Sequence, residues 1–288
     1  MLYRDFASQD DIDAQYNIER QVPDARRWLE FFVEASARTR SALACELDLA
    51  FGPTLAETLD IFPAARPDAP VVVFVHGGYW RRLSAKEFSF VAAGPVARGY
   101  TVVVTNYALC PAVSIGEITR QSRAALAWLY RHVQDFGGDP ERIVVSGHSA
   151  GGHQVARLLA TDWLGEYGLP PDLVKGGYAI SGLFDLRPLR YSWLQPMIQL
   201  DGDTVLRESP QLQLPRTAAP LIAAVGGGES EEFHRQSRDY VAACQAVGLG
   251  AEYQVLGDCH HFNVIESLGE ADGPLTDALC EFVASSID

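Results

Sequence analysis

The sequence lacks the features expected of a membrane protein or a nucleic-acid-binding protein. No apolar run approaches the ~20 residues needed to cross a bilayer, and the first five residues lack the apolar core of a signal peptide. No basic stretch offsets the net charge of −14, which disfavours binding to polyanions. We therefore expect a small-molecule substrate and neither membrane nor nucleic acid as a partner; a homodimer stays open.

Cysteines are few, odd in number and scattered. None of the five forms a Cys-x-x-Cys pair, which argues against a disulfide framework or a zinc site and for reduced thiols in a cytoplasmic protein. The sequence also has no cluster with metal-ligand spacing and no glycine pattern for phosphate binding. It thus predicts neither a metal nor a cofactor.

Apolar strand signals alternate with helix signals along most of the 288 residues. Strands are predicted at 71–76, 101–107, 143–146, 177–181, 221–225 and 251–256, and helices at 114–135, 233–247 and 274–286. Unbroken apolar strands separated by helices are typical of a parallel sheet covered on both faces. The prediction is an α/β fold with a mostly parallel central sheet and helices on both faces.

No repeat or low-complexity linker divides the chain, so we predict one domain over 1–288. Residues 1–45 form an N-terminal segment, helical over 9–42 with a break at 22–24. Residues 186–219 contain four prolines between two predicted strands and are expected to form a short cap insertion.

The most informative motif is Gly147-His148-Ser149-Ala150-Gly151, which follows an apolar strand and opens a helix. Gly-x-Ser-x-Gly at a strand-to-helix turn is the nucleophile elbow of α/β-hydrolases. Glycines are needed there because a β-carbon would collide with the neighbouring strand or helix. The motif predicts Ser149 as a nucleophile.

A serine hydroxyl needs a general base, and the base needs an orienting acid. In this fold the chain order is serine, acid, histidine, with the histidine after the last strand. Residues His260 and His261 follow the strand at 251–256, and Phe262 favours His261 as the base without excluding His260.

The acid is expected in the loop after the strand at 221–225, where Glu229 lies at the tip. Glu231 and Glu232 lie in the first turn of the next helix, where carboxylates interact favourably with the helix dipole, and are less favoured as the acid. Asp185 and Asp203 are weaker alternatives.

An oxyanion intermediate needs preorganised donors. The backbone N–H of Ala150, directly after the nucleophile, is one candidate. Gly77 and Gly78 follow the predicted strand at 71–76 and would let the backbone approach the substrate closely. These three residues are predicted to form the oxyanion hole.

Together these segments resemble the kynurenine formamidase (arylformamidase) branch of the hormone-sensitive-lipase-like α/β-hydrolases. The similar segments are His76–Trp80, Gly147–His153, Ile180–Leu186, Glu229–Phe233 with Gln236-Ser237, and His261–Glu266. The sequence has Glu229 at the acid position, where that family usually has aspartate.

The resemblance implies hydrolysis of N-formylkynurenine to kynurenine and formate by Ser149, His261 and Glu229, with His261 preferred to His260. The aromatic side chains expected to line the substrate pocket are Tyr79, Trp80, Phe184 and Trp193. A substrate carboxylate is a candidate partner for Arg187 or Arg190, although a solvated surface role stays open for both.

Two other functions are compatible with these motifs. A carboxylesterase for small esters would use the same residues. A ligand-binding receptor on the same scaffold would not require the serine and histidine that this sequence retains.

Overall fold

The computed structural model describes residues 1–287, which contain an eight-stranded sheet. In chain order the strands are β1 (Glu46–Ala50), β2 (Thr58–Phe62), β3 (Ala69–Val75), β4 (Thr101–Thr105), β5 (Gly138–His148), β6 (Val174–Ile180), β7 (Leu221–Gly226) and β8 (Ala251–Leu256). Their spatial order is β1-β2-β4-β3-β5-β6-β7-β8.

Helices occur before, between and after the strands. They are α1 (Gln9–Tyr16), α2 (Ile18–Gln21), α3 (Ala25–Ala42), α4 (Ala93–Ala97), α5 (Ile115–His132), α6 (Ala150–Leu159), α7 (Trp163–Tyr167), α8 (Gln195–Ile198), α9 (Gly202–Glu208), α10 (Glu231–Ala246) and α11 (Pro274–Ile287). Within residues 1–287, no helix is both long and apolar enough to cross a membrane.

The central and late strands pair in parallel, whereas β1 and β2 pair antiparallel at one edge. All seven residues of β3 are buried, as expected for a strand covered on both faces. The α/β-hydrolase fold with a mostly parallel sheet is therefore confirmed.

The sequence reading did not identify β1 and β2, for different reasons. Four of the five β1 residues are exposed, so the strand has no apolar signal. In β2 the charged Asp60 interrupts the apolar run, yet its side chain is buried and paired with Lys86 Nζ at 2.7 Å. Burial of a paired charge is not visible in a hydrophobic pattern.

The carboxyl ends of the parallel strands meet at one edge of the sheet. Ligand sites in open α/β sheets lie at this edge. The segments that follow β3, β5, β6, β7 and β8 therefore converge, and every residue predicted for the catalytic triad and the oxyanion hole lies in one of these loops or, for Ala150, at the start of α6.

Candidate active site

Ser149 lies at the sharp turn between β5 and α6. Its backbone has φ 57° and ψ −116°, an unusual conformation for a residue other than glycine. The turn is held by a hydrogen bond from Ser149 N to Ile180 O at 2.8 Å. The elbow predicted from the sequence thus has its strained conformation in the structure.

Close backbone packing explains the elbow glycines. A β-carbon on Gly151 would lie 1.9 Å from Val75 O, and one on Gly147 would lie 2.6 Å from Gly151 O. Real side chains do not tolerate such distances, so β3, β5 and α6 approach this closely only because both positions are glycine.

His261 and Glu229 form a buried pair beside the elbow. His261 Nδ1 lies 2.6 Å from Glu229 Oε2, and the two side chains are only 3% and 1% exposed. Because a carboxylate faces Nδ1, that nitrogen carries the proton and Nε2 is left as the acceptor. His261 Nε2 is buried and has no hydrogen-bond partner among residues 1–287.

The other carboxylate oxygen of Glu229 is fixed by two donors. Ser181 Oγ donates to Glu229 Oε1 at 2.5 Å, and Gly226 N donates to the same oxygen at 2.9 Å. These bonds leave Oε2 for His261. They also explain how a glutamate can replace the shorter aspartate, because its longer side chain is held in one position. The sequence reading assigned no role to Ser181.

The alternative base, His260, faces away from this pair. Its Nδ1 accepts hydrogen bonds from the backbone N–H groups of Phe262 and Asn263, both at 3.2 Å. Its ring packs edge-on against Trp28 with the centroids 5.1 Å apart. The structure therefore brings His261, and not His260, to the candidate acid.

The alternative acids have other partners or lie on the surface. Asp185 binds Arg187, Glu231 pairs with Arg238, Glu232 binds Arg235 and Tyr16, and Asp203 is exposed. The structure brings none of these four carboxylates to His261.

The loop after β3 lies against the elbow. A β-carbon on Gly77 would be 3.2 Å from Ser149 Cβ, and Gly78 has φ 116°, a conformation that favours glycine. Ala150 is the first residue of α6, so its N–H has no acceptor within the helix. The three residues predicted for the oxyanion hole are thus brought to the nucleophile.

A small cavity of about 20 Å³ adjoins Ser149 and His261. This is room for about one water-sized group. Besides those two residues, its lining residues are Ile18, Leu29, Phe32, Gly78, Tyr79, Arg82, Leu83, Phe88, His148 and Phe262. The N-terminal helices α2 and α3 therefore contribute to its wall, whereas residues 186–219 do not.

Of the four predicted pocket aromatics, Tyr79 lines this cavity and the other three do not. Trp80 is buried against His153, with ring centroids 5.1 Å apart. Phe184 stacks on Tyr240 with the centroids 4.4 Å apart. Trp193 meets Tyr79 edge-on with the ring centroids 5.7 Å apart. These three rings therefore support the site by packing.

Hydrogen bonds connect the N-terminal segment to the loop after β3 and to the loop after β7. Tyr79 Oη donates to Tyr16 O at 2.6 Å, and Tyr16 Oη donates to Glu232 Oε2 at 2.6 Å. Ser230, next to the candidate acid, donates to Gln15 O at 2.6 Å. Sequence analysis predicted helices here but missed their contact with the site, since the contact joins positions about 215 residues apart.

Buried histidines around the site are held neutral. Burial lowers the pKa of His76 to about 4 and that of His153 to about 3. The pKa of His148 also lies well below its usual value, first because of burial and then because of the nearby His261. A neutral imidazole next to the catalytic pair does not repel the imidazolium that forms during catalysis.

These depressed pKa values predict acid-sensitive stability. Unfolded histidines bind protons below about pH 6.5, whereas folded His153 does so only near pH 3, so stability should fall as the pH drops from 6.5 towards 3. In this pH range, each such histidine should add about 1.4 kcal/mol per pH unit to the slope of the free energy of unfolding plotted against pH. Urea unfolding of wild type and His153→Gln between pH 7 and 4.5 checks this. An unchanged slope in the variant would contradict the assignment.

Within residues 1–287, no group of three or more His, Cys, Asp or Glu side chains is arranged to hold a metal ion. All five cysteines are free thiols.

Comparisons with known proteins show hydrolases similar to most of this chain. The family model BD-FAE matches residues 59–163. The kynurenine formamidase of Danio rerio is 29% identical over 97% of this chain and 98% of its own length. That of Salmo salar is 31% identical over 88% of this chain and 87% of its own. The carboxylesterase NlhH of Mycobacterium tuberculosis is 37% identical over 73% of both.

Solved structures give the same fold. A protein of Silicibacter sp. TM1040 described as a thioesterase superposes with a TM-score of 0.81 at 30% identity, over 94% of this chain and 99% of its own. An esterase of Pyrobaculum calidifontis superposes with a TM-score of 0.69 at 18% identity, over 92% and 93%. The chain is thus a hydrolase acting on amides or esters, and it belongs to the kynurenine formamidase branch of the hormone-sensitive-lipase-like α/β-hydrolases.

Proposed function

We propose that this hydrolase removes the formyl group from an aromatic amine, converting N-formylkynurenine and water to kynurenine and formate. The observation that carries the proposal is the small, largely apolar cavity beside Ser149 and His261, about 20 Å³. A formyl group adds only one hydrogen to the carbonyl carbon, whereas longer acyl chains need more space. The relatives named kynurenine formamidase, which match most of the chain, support the same reaction.

In the proposed mechanism Ser149 Oγ attacks the formyl carbon. His261 Nε2 accepts the serine proton, and Glu229 stabilises the resulting imidazolium through the 2.6 Å contact at Nδ1. His261 then donates the proton to the aniline nitrogen, which leaves. Water attacks the formyl-serine ester with His261 as base, which releases formate and restores the hydroxyl.

The negative oxygen of each tetrahedral intermediate is bound by backbone N–H groups of Gly77, Gly78 and Ala150. Such donors stabilise the transition state more than the substrate because the charge develops there. Backbone hydrogen bonds hold these two loops before substrate binds, from Ser149 N to Ile180 O at 2.8 Å and from Arg81 N to Gly78 O at 3.1 Å.

Purified enzyme assayed with N-formylkynurenine, p-nitrophenyl acetate and p-nitrophenyl butyrate, all with EDTA present, tests the proposal. We expect kynurenine release to exceed butyrate ester hydrolysis in kcat/KM and to persist with the chelator. Loss of activity to EDTA would contradict the mechanism.

A carboxylesterase using the same residues is the second candidate, favoured by the 37% identity to NlhH. The same assay separates the two functions. A kcat/KM for the butyrate ester well above that for the formamide would leave the serine mechanism in place and support the esterase.

We further propose that residues 1–45, and not 186–219, cap the site and limit the acyl group. Leu29 lines the cavity from α3, so Leu29→Ala should widen it. The variant should raise kcat/KM for p-nitrophenyl butyrate relative to p-nitrophenyl acetate by roughly tenfold, as expected for added methylenes in an apolar pocket.

The matched control is Val33→Ala, one turn further along α3, where the side chain is 52% exposed and does not line the cavity. It should leave the butyrate-to-acetate ratio unchanged. Equal ratios in wild type and Leu29→Ala would contradict the proposed role of the N-terminal segment.

A further inference from the structure

Two adjacent arginines follow the loop that contains Gly77 and Gly78. Arg82 lines the cavity beside Ser149, and its Nη1 pairs with Glu19 of α2. Its Nε is buried and has no hydrogen-bond partner among residues 1–287. Nε and Nη2 form the edge of a guanidinium that binds carboxylates in bidentate fashion, and the Glu19 pair uses the other end.

The guanidinium of Arg81 has fewer partners than that of Arg82. Within residues 1–287 it has no carboxylate at ion-pair distance, and its Nε is buried without a hydrogen-bond partner. Burial lowers the pKa of Arg81, and the adjacent Arg82 lowers it further. The two guanidinium groups therefore have one paired carboxylate between them, that of Glu19.

This local excess of positive charge is unusual in a chain with net charge −14. Partly burying a guanidinium without a partner is unfavourable because water is lost from its donors. An anion that binds at the cavity would supply the missing acceptor for Arg82 Nε.

The arginines considered from the sequence do not fill this role. Arg187 is already paired with Asp185 at 2.8 Å, and Asp185 also binds Tyr3. Arg190 is exposed in residues 186–219, which do not line the cavity.

We propose that Arg82, assisted by Arg81, binds the carboxylate of an amino-acid group on the leaving portion of the substrate. The proposal rests on the proposed function, since the leaving group of N-formylkynurenine has an α-carboxylate. The cavity wall has an aromatic part, where the rings of Phe32 and Phe88 lie 5.5 Å apart, and a part formed by Ile18 of α2 and by Arg82.

The test compares N-formylkynurenine with N-formyl-2-aminoacetophenone, which has the same aryl formamide and ketone but no amino-acid group. Arg82→Gln should lower kcat/KM for the charged substrate roughly 10–100-fold, as expected for a charge-assisted hydrogen bond. The effect should lie mainly in KM, and the neutral substrate should change less than about threefold. Arg81→Gln, which breaks no ion pair, should give a smaller loss of the same selectivity.

Two controls separate binding from structural support. Glu19→Gln breaks the same ion pair as Arg82→Gln but keeps the cation, so it should not raise KM for N-formylkynurenine. Arg38→Gln removes a charge from α3, where the side chain is 66% exposed, and should affect neither substrate.

An equal loss of kcat/KM on both formamides in Arg82→Gln would overturn the inference and leave the proposed function intact. So would a loss on N-formylkynurenine in Glu19→Gln as large as that in Arg82→Gln. Failure of wild type to cleave either formamide while it cleaves esters would overturn the proposed function, and the inference with it.

Discussion

Ser149→Ala should lower kcat more than about a thousandfold, because the variant loses the nucleophile and keeps only binding and oxyanion stabilisation. The hydroxyl stands at the tip of the elbow, where φ is 57°, and the elbow is held by backbone contacts. The fold should therefore persist. Steady-state kinetics with N-formylkynurenine and a thermal unfolding curve measure both effects.

Ser146→Ala is the matched control. Ser146 lies three residues earlier on β5, and its buried hydroxyl donates to Tyr178 O at 3.0 Å. Its removal should cost about 1 kcal/mol of stability and leave kcat near wild type. Residual activity of Ser149→Ala above about a thousandth of wild type would show that another group is the nucleophile.

His261→Ala should have a comparable effect on kcat. It removes the ring that lies against Glu229, together with the unpaired Nε2 beside the cavity. Without a general base, the serine hydroxyl is a weak nucleophile at neutral pH. The same kinetic assay applies, and a fluorophosphonate probe should label Ser149 far more slowly in this variant.

His260→Ala provides the comparison within one loop. It removes the contact with Trp28 and the two backbone hydrogen bonds at Nδ1, so it should affect stability more than catalysis. We expect less than about a tenfold change in kcat. A large loss in His260→Ala with a small one in His261→Ala would reverse the assignment of the base.

The sequence predicted the parts of the site that depend on short segments. A glycine-flanked serine after an apolar strand leaves few conformations, because a β-carbon on Gly151 would lie only 1.9 Å from Val75 O. The loops after β7 and β8 were likewise located from the order of the strands, which brought Glu229 and His261 together.

Features that depend on distant contacts were not predictable in the same way. Ser181 holds Glu229 across 48 positions of sequence, and Leu29 reaches the cavity from a helix far from the triad in the chain. The sequence also does not show towards which side the side chain of an aromatic residue near a catalytic motif points. Trp80 follows Tyr79 directly, yet it turns into the core against His153.

The ratio of kcat/KM for N-formylkynurenine to that for N-acetylkynurenine tests the proposed function most directly. The two substrates share the leaving group and the carboxylate, so only the acyl group differs. Dividing by the ratio of their hydroxide-catalysed rates removes their intrinsic difference in reactivity. We predict a corrected preference for formyl of more than about tenfold, as expected when one extra methyl must enter a filled pocket. A corrected ratio near one, or a preference for acetyl, would contradict a formamidase.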